Sequence, residues 1–387
     1  MTDLPRGFRV HVANIGIKDT TDDFVVIAAD RPCPGAGVFT QSRFAGASVT
    51  VSRANVADHR LQAFVVLSKN ANVATGQQGL DDANEIVAAV AKTIGCAASD
   101  IMIASTGVIG RTYPMDRIRR HLSTLAWPFT SGDAARAAQG IMTTDTVPKI
   151  ASAVVAGSAG SARVVGIAKG VGMIEPNMAT LITLFCTDAS IDGDTLDRAF
   201  RSVMDRTFNA VSVDTDTSTS DTAAIMASGA AGPVDETAFT AALHEVALSL
   251  TKQVARDGEG AETLIEVLVD GARDDVQAKQ VAKSIVNSPL VKTAVHGADP
   301  NWGRVAMAVG KCSDETDIDQ DKVVIRFGTQ EVYPRRLDDA ALAALSDYLR
   351  GDEVLIHVSL GIGSGAFTVY GCDLTDGYVR INADYTT

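Results

Sequence analysis

A glycine-rich stretch near the middle of the chain leads directly into a run of β-branched and aromatic residues. The stretch extends from Gly170 to Leu181 and contains two glycines, a proline and the pair Ala179-Thr180, and the run continues to Phe185. A short apolar run bounded by turn residues is typical of a buried strand. The sequence therefore predicts a threonine, Thr180, at the mouth of a strand, where a rigid element would hold its hydroxyl.

Runs with strand periodicity and runs with helix periodicity alternate along the rest of the chain. One helix is predicted to begin at a cap formed by Asp81 or Asp82 and to end at Gly95, and a longer one is predicted from about Asp235 to Arg256. The segment from Cys33 to Gly37 is rich in turn formers and is expected to separate two early strands. This mixture predicts an α/β fold, with strands at 8–12, 24–28, 63–68, 101–104, 163–168, 181–185, 264–269, 323–327, 354–358 and 367–370.

The size and charge of the chain limit the classes of protein to which it can belong. It has 387 residues, more than a single core usually covers, so two domains or a two-lobed unit is expected. A hydrophobic content of 46% and a charged content of 21% are typical of a folded globular protein. The formal net charge of −13 argues against nonspecific binding to nucleic acid or to an anionic membrane, because both need a positive field.

Cysteine and histidine positions give no sign of a disulfide framework or a metal centre. The five cysteines contain no C-x-x-C spacing, and the six histidines contain no H-E-x-x-H motif. The N-terminus lacks the apolar segment of a signal peptide, and no later apolar run reaches the ~18 residues that a membrane span needs. We therefore expect no metal, no membrane association and a location in the cytoplasm.

Several polar residues have two interpretations on the residues alone. Thr180 can be a nucleophile, or it can simply satisfy backbone groups at a strand start. The end of a predicted strand at Ser105 to Gly107 can supply the donors of an oxyanion site, or it can be ordinary turn chemistry. Glu259, between two glycines, is most simply interpreted as a solvated loop acid. Lys169 lies eleven residues before Thr180, so a turn between paired strands would let both face one pocket.

Two other segments resemble known motifs but fail at required positions. Ser212 to Asp221 contains the start of a calcium-loop pattern, yet Thr219 stands where glycine is needed and Ile225 where glutamate is needed. Gly361 to Ala366 fits a dinucleotide-binding pattern, but a strand-like run follows it where a helix is required. Neither site is predicted, and no cofactor is expected.

The segment from Gly172 to Thr180, Gly-Met-Ile-Glu-Pro-Asn-Met-Ala-Thr, resembles the self-cleavage motif of the ornithine acetyltransferase family, the bifunctional ArgJ-type glutamate N-acetyltransferases. Matching blocks on both sides extend the resemblance over nearly the full length. It implies a DmpA/ArgJ-like fold of layered α and β structure. It also implies a cut between Ala179 and Thr180, which gives an alpha chain of residues 1–179 and a beta chain of residues 180–387 in an α2β2 heterotetramer.

The resemblance implies a ping-pong acetyl transfer between small-molecule substrates. The acetyl group of N-acetylornithine passes to Thr180, ornithine leaves, and glutamate then attacks the acetyl-enzyme to give N-acetylglutamate. The family stabilises the tetrahedral intermediates with a Thr-Gly pair, which matches Thr106 and Gly107 here. Substrate-binding positions carried over by motif are Thr143, which we favour over Thr144, Lys169, Thr180 itself, Glu259, Asn382 and the terminal Thr387.

Two features of the sequence resemble one branch of the family, and they leave the identity of the substrate undecided. Glu175 precedes Pro176 where many relatives have a small or different residue. The ending Tyr385-Thr386-Thr387, together with Val295-His296-Gly297, resembles the form encoded beside clavulanic acid biosynthesis. Such forms can serve a secondary pathway with another amine or acyl acceptor. Two further alternatives are a Thr-nucleophile amidohydrolase or aminopeptidase with water as acceptor, and a binding module in which Thr180 only starts a strand.

Overall fold

The computed structural model of the chain describes residues 3–157, 160–175 and 181–384. Within these ranges the protein forms two β-sheets, one of eight strands and one of six, with helices packed against both. Ala179, Thr180 and Thr387 lie outside the described residues. The cleavage site, and with it the division of the chain into two parts, therefore stays a prediction.

Fourteen strands make up the two sheets in the described ranges. The first sheet has the order β4-β3-β2-β9-β7-β6-β5, with β1 also paired to β2, and the second has the order β12-β11-β13-β10-β14-β8. The strands are β1 (Phe8–Ala13), β2 (Phe24–Phe39), β3 (Arg60–Asn70), β4 (Ile101–Val108), β5 (Lys149–Gly157), β6 (Gly160–Lys169), β7 (Ile182–Ser190), β8 (Val211–Ser212), β9 (Thr222–Pro233), β10 (Leu264–Ala272), β11 (Val324–Phe327), β12 (Gln330–Tyr333), β13 (Glu353–Ser359) and β14 (Gly365–Cys372).

Helices pack around both sheets, and several of them carry loops of the site described below. None of the described helices is both long and apolar enough to cross a membrane. The helices are α1 (Ala47–Asn55), α2 (Gly76–Ile94), α3 (Met115–Leu122), α4 (Ala134–Ile141), α5 (Gly193–Arg206), α6 (Glu236–Arg256), α7 (Asp275–Val286), α8 (Pro289–His296), α9 (Trp302–Gly310), α10 (Asp339–Leu349) and α11 (Asp376–Asp384).

Helix α6 joins the two sheets through the largest apolar core. It packs against β5 and β6 of the first sheet and against β10 and β14 of the second. Phe239, Leu243 and Leu250 recur at helical spacing and are fully buried. Asp235 caps the N-terminus, because its side chain accepts a hydrogen bond from a backbone N–H of the first turn. The helix predicted from about Asp235 to Arg256 is confirmed.

Strands β6 and β7 bring the two ends of the central stretch together. They pair antiparallel with Lys169 opposite Ile182, so residues 170–181 connect neighbouring strands. Strand β7 also runs parallel to β9, with Ile182 opposite Thr222. The end of β6 and the starts of β7 and β9 therefore meet at one place in the first sheet, which becomes one side of the site.

The predicted turn from Cys33 to Gly37 is wrong, because this segment lies inside β2. The strand shifts its register between Ala28 and Cys33 and then continues, pairing with β3 on both sides of the shift as far as Pro34 and with β9 from Gly35 onward. Glycine serves close packing here, since a Cβ on Gly35 would lie 2.6 Å from Leu61 Cδ1. The small residues that suggest a turn allow close packing at the point where β2 stops pairing with β3 and begins to pair with β9.

Helix α2 begins earlier than the sequence predicts. Asp81 and Asp82 are not its caps but lie in its second turn, where they accept hydrogen bonds from glutamine side chains of the first turn. The helix starts at Gly76, and no side chain caps its N-terminus. Its end at Gly95 is as predicted, because this glycine adopts the left-handed conformation with a φ of 87°.

Candidate active site

A cavity of about 340 Å³ lies beside the central stretch and is lined by parts of the chain that are far apart in sequence. These parts include the end of β4, the loop after α4, the residues that join β6 to β7, the loop after α6 and helix α11. Within the described ranges, all the predicted site residues line this cavity: Thr106, Gly107, Thr143, Lys169, Glu259 and Asn382.

Asp145 is a buried residue that connects two of the segments that line the cavity. Its carboxylate accepts hydrogen bonds from the backbone N–H groups of Thr143 at 2.9 Å and Gly170 at 2.7 Å, and from Lys149 Nζ at 2.8 Å. These contacts attach the loop after α4 to the start of the central stretch. Removing a buried carboxylate with three donors would leave those donors unpaired, which is costly in a low-dielectric interior.

Lys169 ends β6 and points its ammonium group into the cavity. Its Nζ lies 3.9 Å from Asp145 Oδ2 and donates to Thr106 Oγ1 at 3.4 Å. Burial lowers the pKa of Lys169, while the Asp145 carboxylate opposes that change. Burial by itself would raise the pKa of Asp145, but Lys169 and Lys149 outweigh it and lower the pKa to about 2. Asp145 therefore stays ionised and favours the charged form of Lys169, a suitable partner for a carboxylate.

Thr106 and Gly107 lie at the end of β4, beside Lys169. Strand β4 pairs parallel with β3 and places Gly107 opposite Lys69. The φ of Gly107 is 130°, and a Cβ there would lie 2.2 Å from the backbone carbon of Lys69. Only glycine satisfies both constraints. The backbone and the Thr106 hydroxyl can therefore approach a ligand closely at this point.

Glu259 and Asn382 form the opposite wall. Glu259 accepts hydrogen bonds from Asn382 Nδ2 at 2.9 Å and from Thr144 Oγ1 at 3.4 Å. Its backbone N–H donates to Val171 O at 2.8 Å, which attaches this loop to the central stretch. Glu259 is half-buried and has partners on two other segments, so the interpretation of it as a solvated loop acid omits these contacts. A carboxylate with a neighbouring amide can bind an ammonium group.

Lys149 connects the loop after α4 to the loop after α6. It is fully buried and bridges Asp145 and Asp257, with Nζ to carboxylate distances of 2.8 and 2.5 Å. Asp257 also accepts a hydrogen bond from the backbone N–H of Thr146 at 3.1 Å. Since Asp257 begins the loop that carries Glu259, the loop with Thr143 and the loop with Glu259 are held as one unit.

Described residues on both sides of the predicted cut between Ala179 and Thr180 line the cavity. Gly170 to Met173 line it on one side, and Leu181 and Ile182 line it on the other. Ala179 and Thr180 are outside the described residues, as is Thr387, so the roles predicted for them stay predictions.

Several residues of the wall were not predicted from the sequence. Ser218 to Asp221 line the cavity at the start of β9. The sequence of this stretch resembles a calcium loop only in part, and its run of hydroxyl and carboxylate groups is the signal that indicates a polar wall. Asp145 is likewise absent from the residues that the sequence predicts for the site. Nothing in local sequence pattern indicates that it would contact Gly170 and Lys149.

Other possible ligand sites in the described ranges have structural explanations. Glu262, His296 and Asp373 bring ligand atoms within 4.8 Å of one another. Asp373, however, already accepts hydrogen bonds from the backbone N–H groups of Glu262 and of Thr263, both at 2.9 Å, so it serves to fix that loop. The rejection of a dinucleotide site is confirmed, because β14 begins at Gly365 where a helix would be required.

Comparison with known proteins gives the family of the chain. The model of the ArgJ family matches residues 9–387. The chain belongs to the ArgJ family. The resemblance read from Gly172 to Thr180 is thereby confirmed, as is the predicted fold of layered α and β structure of the ArgJ type.

Two relatives resemble the chain over nearly its whole length, and one solved structure resembles part of it. The glutamate N-acetyltransferase Oat2 of Streptomyces clavuligerus is 61% identical, over 99% of this chain and 98% of that protein. The arginine biosynthesis bifunctional protein ArgJ 2 of Nostoc is 57% identical, with the same coverage. The solved structure of ornithine acetyltransferase from Mycobacterium tuberculosis, in complex with ornithine, is 32% identical over 45% of this chain and 94% of that one, with a TM-score of 0.39.

Proposed function

We propose that the chain cuts itself between Ala179 and Thr180 and then transfers the acetyl group of N-acetylornithine to glutamate through an acetyl-Thr180 intermediate. As a member of the ArgJ family, the chain is a glutamate N-acetyltransferase of arginine biosynthesis. One observation supports the mechanism above all: a single cavity joins Lys169, the Thr106-Gly107 pair and the Glu259-Asn382 pair to both ends of the segment that contains Thr180.

The self-cleavage step needs only groups of the chain and water. In this step the Thr180 oxygen attacks the carbonyl carbon of Ala179, the carbon–nitrogen bond breaks, and the hydroxyl proton passes to the departing nitrogen. The product is an ester with a free amine on Thr180. Water then hydrolyses the ester, which gives the carboxylate of Ala179 and restores the threonine hydroxyl. The cut therefore creates an amine beside the nucleophile.

That amine explains how a threonine can act at neutral pH. A threonine hydroxyl is a weak nucleophile unless a neighbouring base takes its proton. A free α-amino group has an unperturbed pKa of about 7.7 to 8, so a useful fraction is neutral at working pH and can act as the general base. In the proposed mechanism the Thr106-Gly107 pair stabilises the oxyanion of each tetrahedral intermediate.

The charges of the cavity fit the charges of N-acetylornithine. The Lys169 ammonium would bind the α-carboxylate, and Glu259 with Asn382 would bind the side-chain ammonium. Thr143 lies in the wall between them and offers a hydroxyl. Glutamate lacks the side-chain ammonium, so its second carboxylate would turn to the amide of Asn382. The terminal Thr387 completes the predicted set.

Steady-state assays with three acceptors test this function. Purified protein is incubated with N-acetylornithine alone, so that water is the acceptor, with added glutamate, or with other amino acids added as acceptors. We expect N-acetylglutamate to be the main product. Release of free acetate as the main product would indicate an amidohydrolase, and transfer only to another amine would indicate a secondary pathway. Either result would overturn the proposed acceptor.

Glu259→Gln is expected to affect one half of the reaction. In a ping-pong cycle the kcat/KM of each substrate depends only on its own half-reaction. Loss of the charged partner of the ornithine ammonium should lower the kcat/KM of N-acetylornithine about 10- to 100-fold. The kcat/KM of glutamate should not fall. Glu262→Gln is the matched control, because its side chain is exposed three residues away. Equal losses for both substrates would contradict the assignment.

The pH profile should have two limbs with separate origins. We expect kcat/KM for N-acetylornithine to rise with pH as the Thr180 amine loses its proton near pH ~8. It should fall again at alkaline pH, below the usual lysine range, because burial lowers the pKa of Lys169. In Lys169→Arg the guanidinium keeps its charge, so the alkaline limb should move to higher pH. An alkaline limb that is unchanged in this variant would exclude Lys169 as its source.

The assembly and location of the enzyme belong to the same proposal. The two cleaved chains would stay together, and two such pairs would form an α2β2 heterotetramer in the cytoplasm. The free thiols of the five cysteines are compatible with a reducing compartment. Native mass spectrometry tests the assembly, and an isolated pair of one alpha and one beta chain would contradict it.

A further inference from the structure

The segment from Ser212 to Thr222, which lacks the residues of a calcium loop, contacts Met173 to Glu175. These residues lie immediately before residues 176–180, the cleavage segment, which contains the predicted cut between Ala179 and Thr180. The Asp214 carboxylate accepts backbone hydrogen bonds from Met173 N and from Ile174 N, both at 2.7 Å, and from Asp216 N of its own segment at 3.3 Å. The hydroxyl of Tyr378 on α11 donates to the same carboxylate at 3.5 Å. Asp214 therefore connects the residues before the cleavage segment to the helix that carries Asn382.

Backbone contacts extend this attachment to the residue that precedes Pro176. Val213 N donates to Ile174 O at 2.7 Å, and Glu175 N donates to Asp216 O at 2.9 Å. The Thr217 hydroxyl donates to Glu175 O at 3.2 Å. Consequently, every residue from Met173 to Glu175 has a hydrogen bond to the 212–222 segment.

The other end of the cleavage segment is attached to the same short stretch. Thr222 N donates to Leu181 O at 2.9 Å. Ile174 pairs antiparallel with Thr217, whereas Ile182 pairs parallel with Thr222. The 212–222 segment therefore contacts the chain on both sides of residues 176–180.

Met173 has a conformation that needs support. Its φ is 57°, in the left-handed region that a residue with a side chain rarely adopts. The Asp214 carboxylate accepts its N–H and that of Ile174 next to it, which fixes the direction in which the chain leaves the cavity wall. A non-glycine residue in this region is kept there by surrounding contacts.

Glu175 provides a second anchor through its side chain. Its carboxylate lies 3.4 Å from Lys283 Nζ and accepts hydrogen bonds from Asn287 Nδ2 at 2.6 Å and Ser212 Oγ at 3.1 Å. Lys283 and Asn287 belong to the end of α7 and the residue after it. The Glu175 side chain is therefore attached to α7, which packs against the second sheet.

We propose that the 212–222 segment is a cradle for self-cleavage, with Asp214 as its main positioning residue. By fixing Met173 to Glu175 at one end and Leu181 at the other, the cradle would restrict residues 176–180 to conformations in which the Thr180 hydroxyl meets the Ala179 carbonyl. Such restriction turns an improbable encounter into a favoured one. The inference rests on the proposed self-cleavage, and Asp214 takes no proton and forms no covalent bond in it.

The cradle predicts that cleavage and acetyl transfer respond differently to Asp214→Asn. The asparagine retains one oxygen acceptor but turns an amide N–H₂ toward the second backbone N–H. The resulting shift of the backbone at Met173 and Ile174 should slow cleavage about 10- to 100-fold. Once the chain is cut, Thr180 begins a separate chain, so kcat of the processed fraction should stay within about threefold of the parent. A general loss of structure would lower both.

A time course of cell-free synthesis, followed by gel analysis of cut and uncut chain, measures the cleavage rate. Asp216→Asn is the matched control, because this exposed aspartate joins the cradle through its backbone carbonyl, which the substitution keeps. Glu175→Ala tests the second anchor and should also slow cleavage. The processed fractions of all variants are then assayed for kcat and KM, and their melting temperatures are compared.

The outcomes separate this inference from the proposed function. Cleavage of Asp214→Asn at the parental rate would overturn the cradle and leave self-cleavage intact. A parallel fall of cleavage, kcat and melting temperature would also overturn it, because the role of Asp214 would then be structural. A parent chain that is never cut would instead refute the proposed function itself. Slow cleavage with normal kcat in Asp214→Asn and Glu175→Ala, beside a normal Asp216→Asn, supports the cradle.

Discussion

Thr180→Ala is expected to remove acetyl transfer completely and to leave the chain uncut. The variant lacks the oxygen that attacks the Ala179 carbonyl, so neither the ester nor the free amine can form. It also lacks the oxygen that would carry the acetyl group. Loss of a nucleophile of this kind costs on the order of 10⁶-fold in rate. The rate of ornithine release from N-acetylornithine measures the effect.

Thr180→Ser is the matched variant for this prediction. Serine keeps both the hydroxyl and, after cleavage, the amine, so the chain should still be cut and should keep part of its activity. A Thr180→Ala protein that transfers acetyl groups at a rate near the parental one would contradict the account, because another residue would then carry the acetyl group. An inactive but cut Thr180→Ala protein would place the cleavage chemistry elsewhere.

Thr106→Val should lower kcat by about 10²- to 10³-fold, with a much smaller change in KM. Valine has nearly the shape of threonine but lacks the hydroxyl, and the stabilisation that it removes is needed only when negative charge develops on the substrate oxygen. Lys169 Nζ also loses an acceptor, at 3.4 Å, which can add a moderate effect on binding. Kinetics with N-acetylornithine and glutamate separate the two contributions.

Two further variants make the assignment of the oxyanion site specific. Thr106→Ser restores a hydroxyl and should recover most of kcat. Gly107→Ala should be more harmful than Thr106→Val, because the added Cβ would lie 2.2 Å from the backbone carbon of Lys69 and the φ of 130° is unsuitable for alanine. A change in KM alone for Thr106→Val would show that this hydroxyl binds substrate and does not stabilise the oxyanion.

Local sequence pattern predicts the elements that frame the site. The strands β6 and β7, which pair antiparallel, follow from an apolar run on each side of a glycine-rich stretch. Helix α6 follows from its apolar stripe and its aspartate cap. These features depend on residues that are close in sequence, and for that reason the sequence alone predicts them.

Contacts between distant segments could not be read in this way. Asp145 binds Gly170, and Lys149 binds Asp257, through a buried network whose partners are 25 and 108 residues apart. A polar residue in a loop has the same local pattern whether it is solvated or buried with partners. Glu259 illustrates this, since its glycine neighbours suggest a solvated acid although Asn382 and Thr144 bind it.

The family resemblance supplied what local pattern could not. The motifs of the family group Lys169, Glu259 and Asn382, and all three line one cavity in the structure. The resemblance did not include Asp145 or Asp214, whose roles are to hold other residues in place. Residues of this kind become visible only when the hydrogen bonds between segments are known, because their chemistry is that of many surface aspartates.

Intact-mass spectrometry of the unmodified protein, before and after incubation with N-acetylornithine alone, tests the central claim most directly. The account predicts two fragments that correspond to residues 1–179 and 180–387. After incubation, the second fragment should be heavier by one acetyl group, and added glutamate should remove that group. A single uncut chain that transfers acetyl groups at full rate would contradict the account, since no free amine on Thr180 would then be available to act as the base.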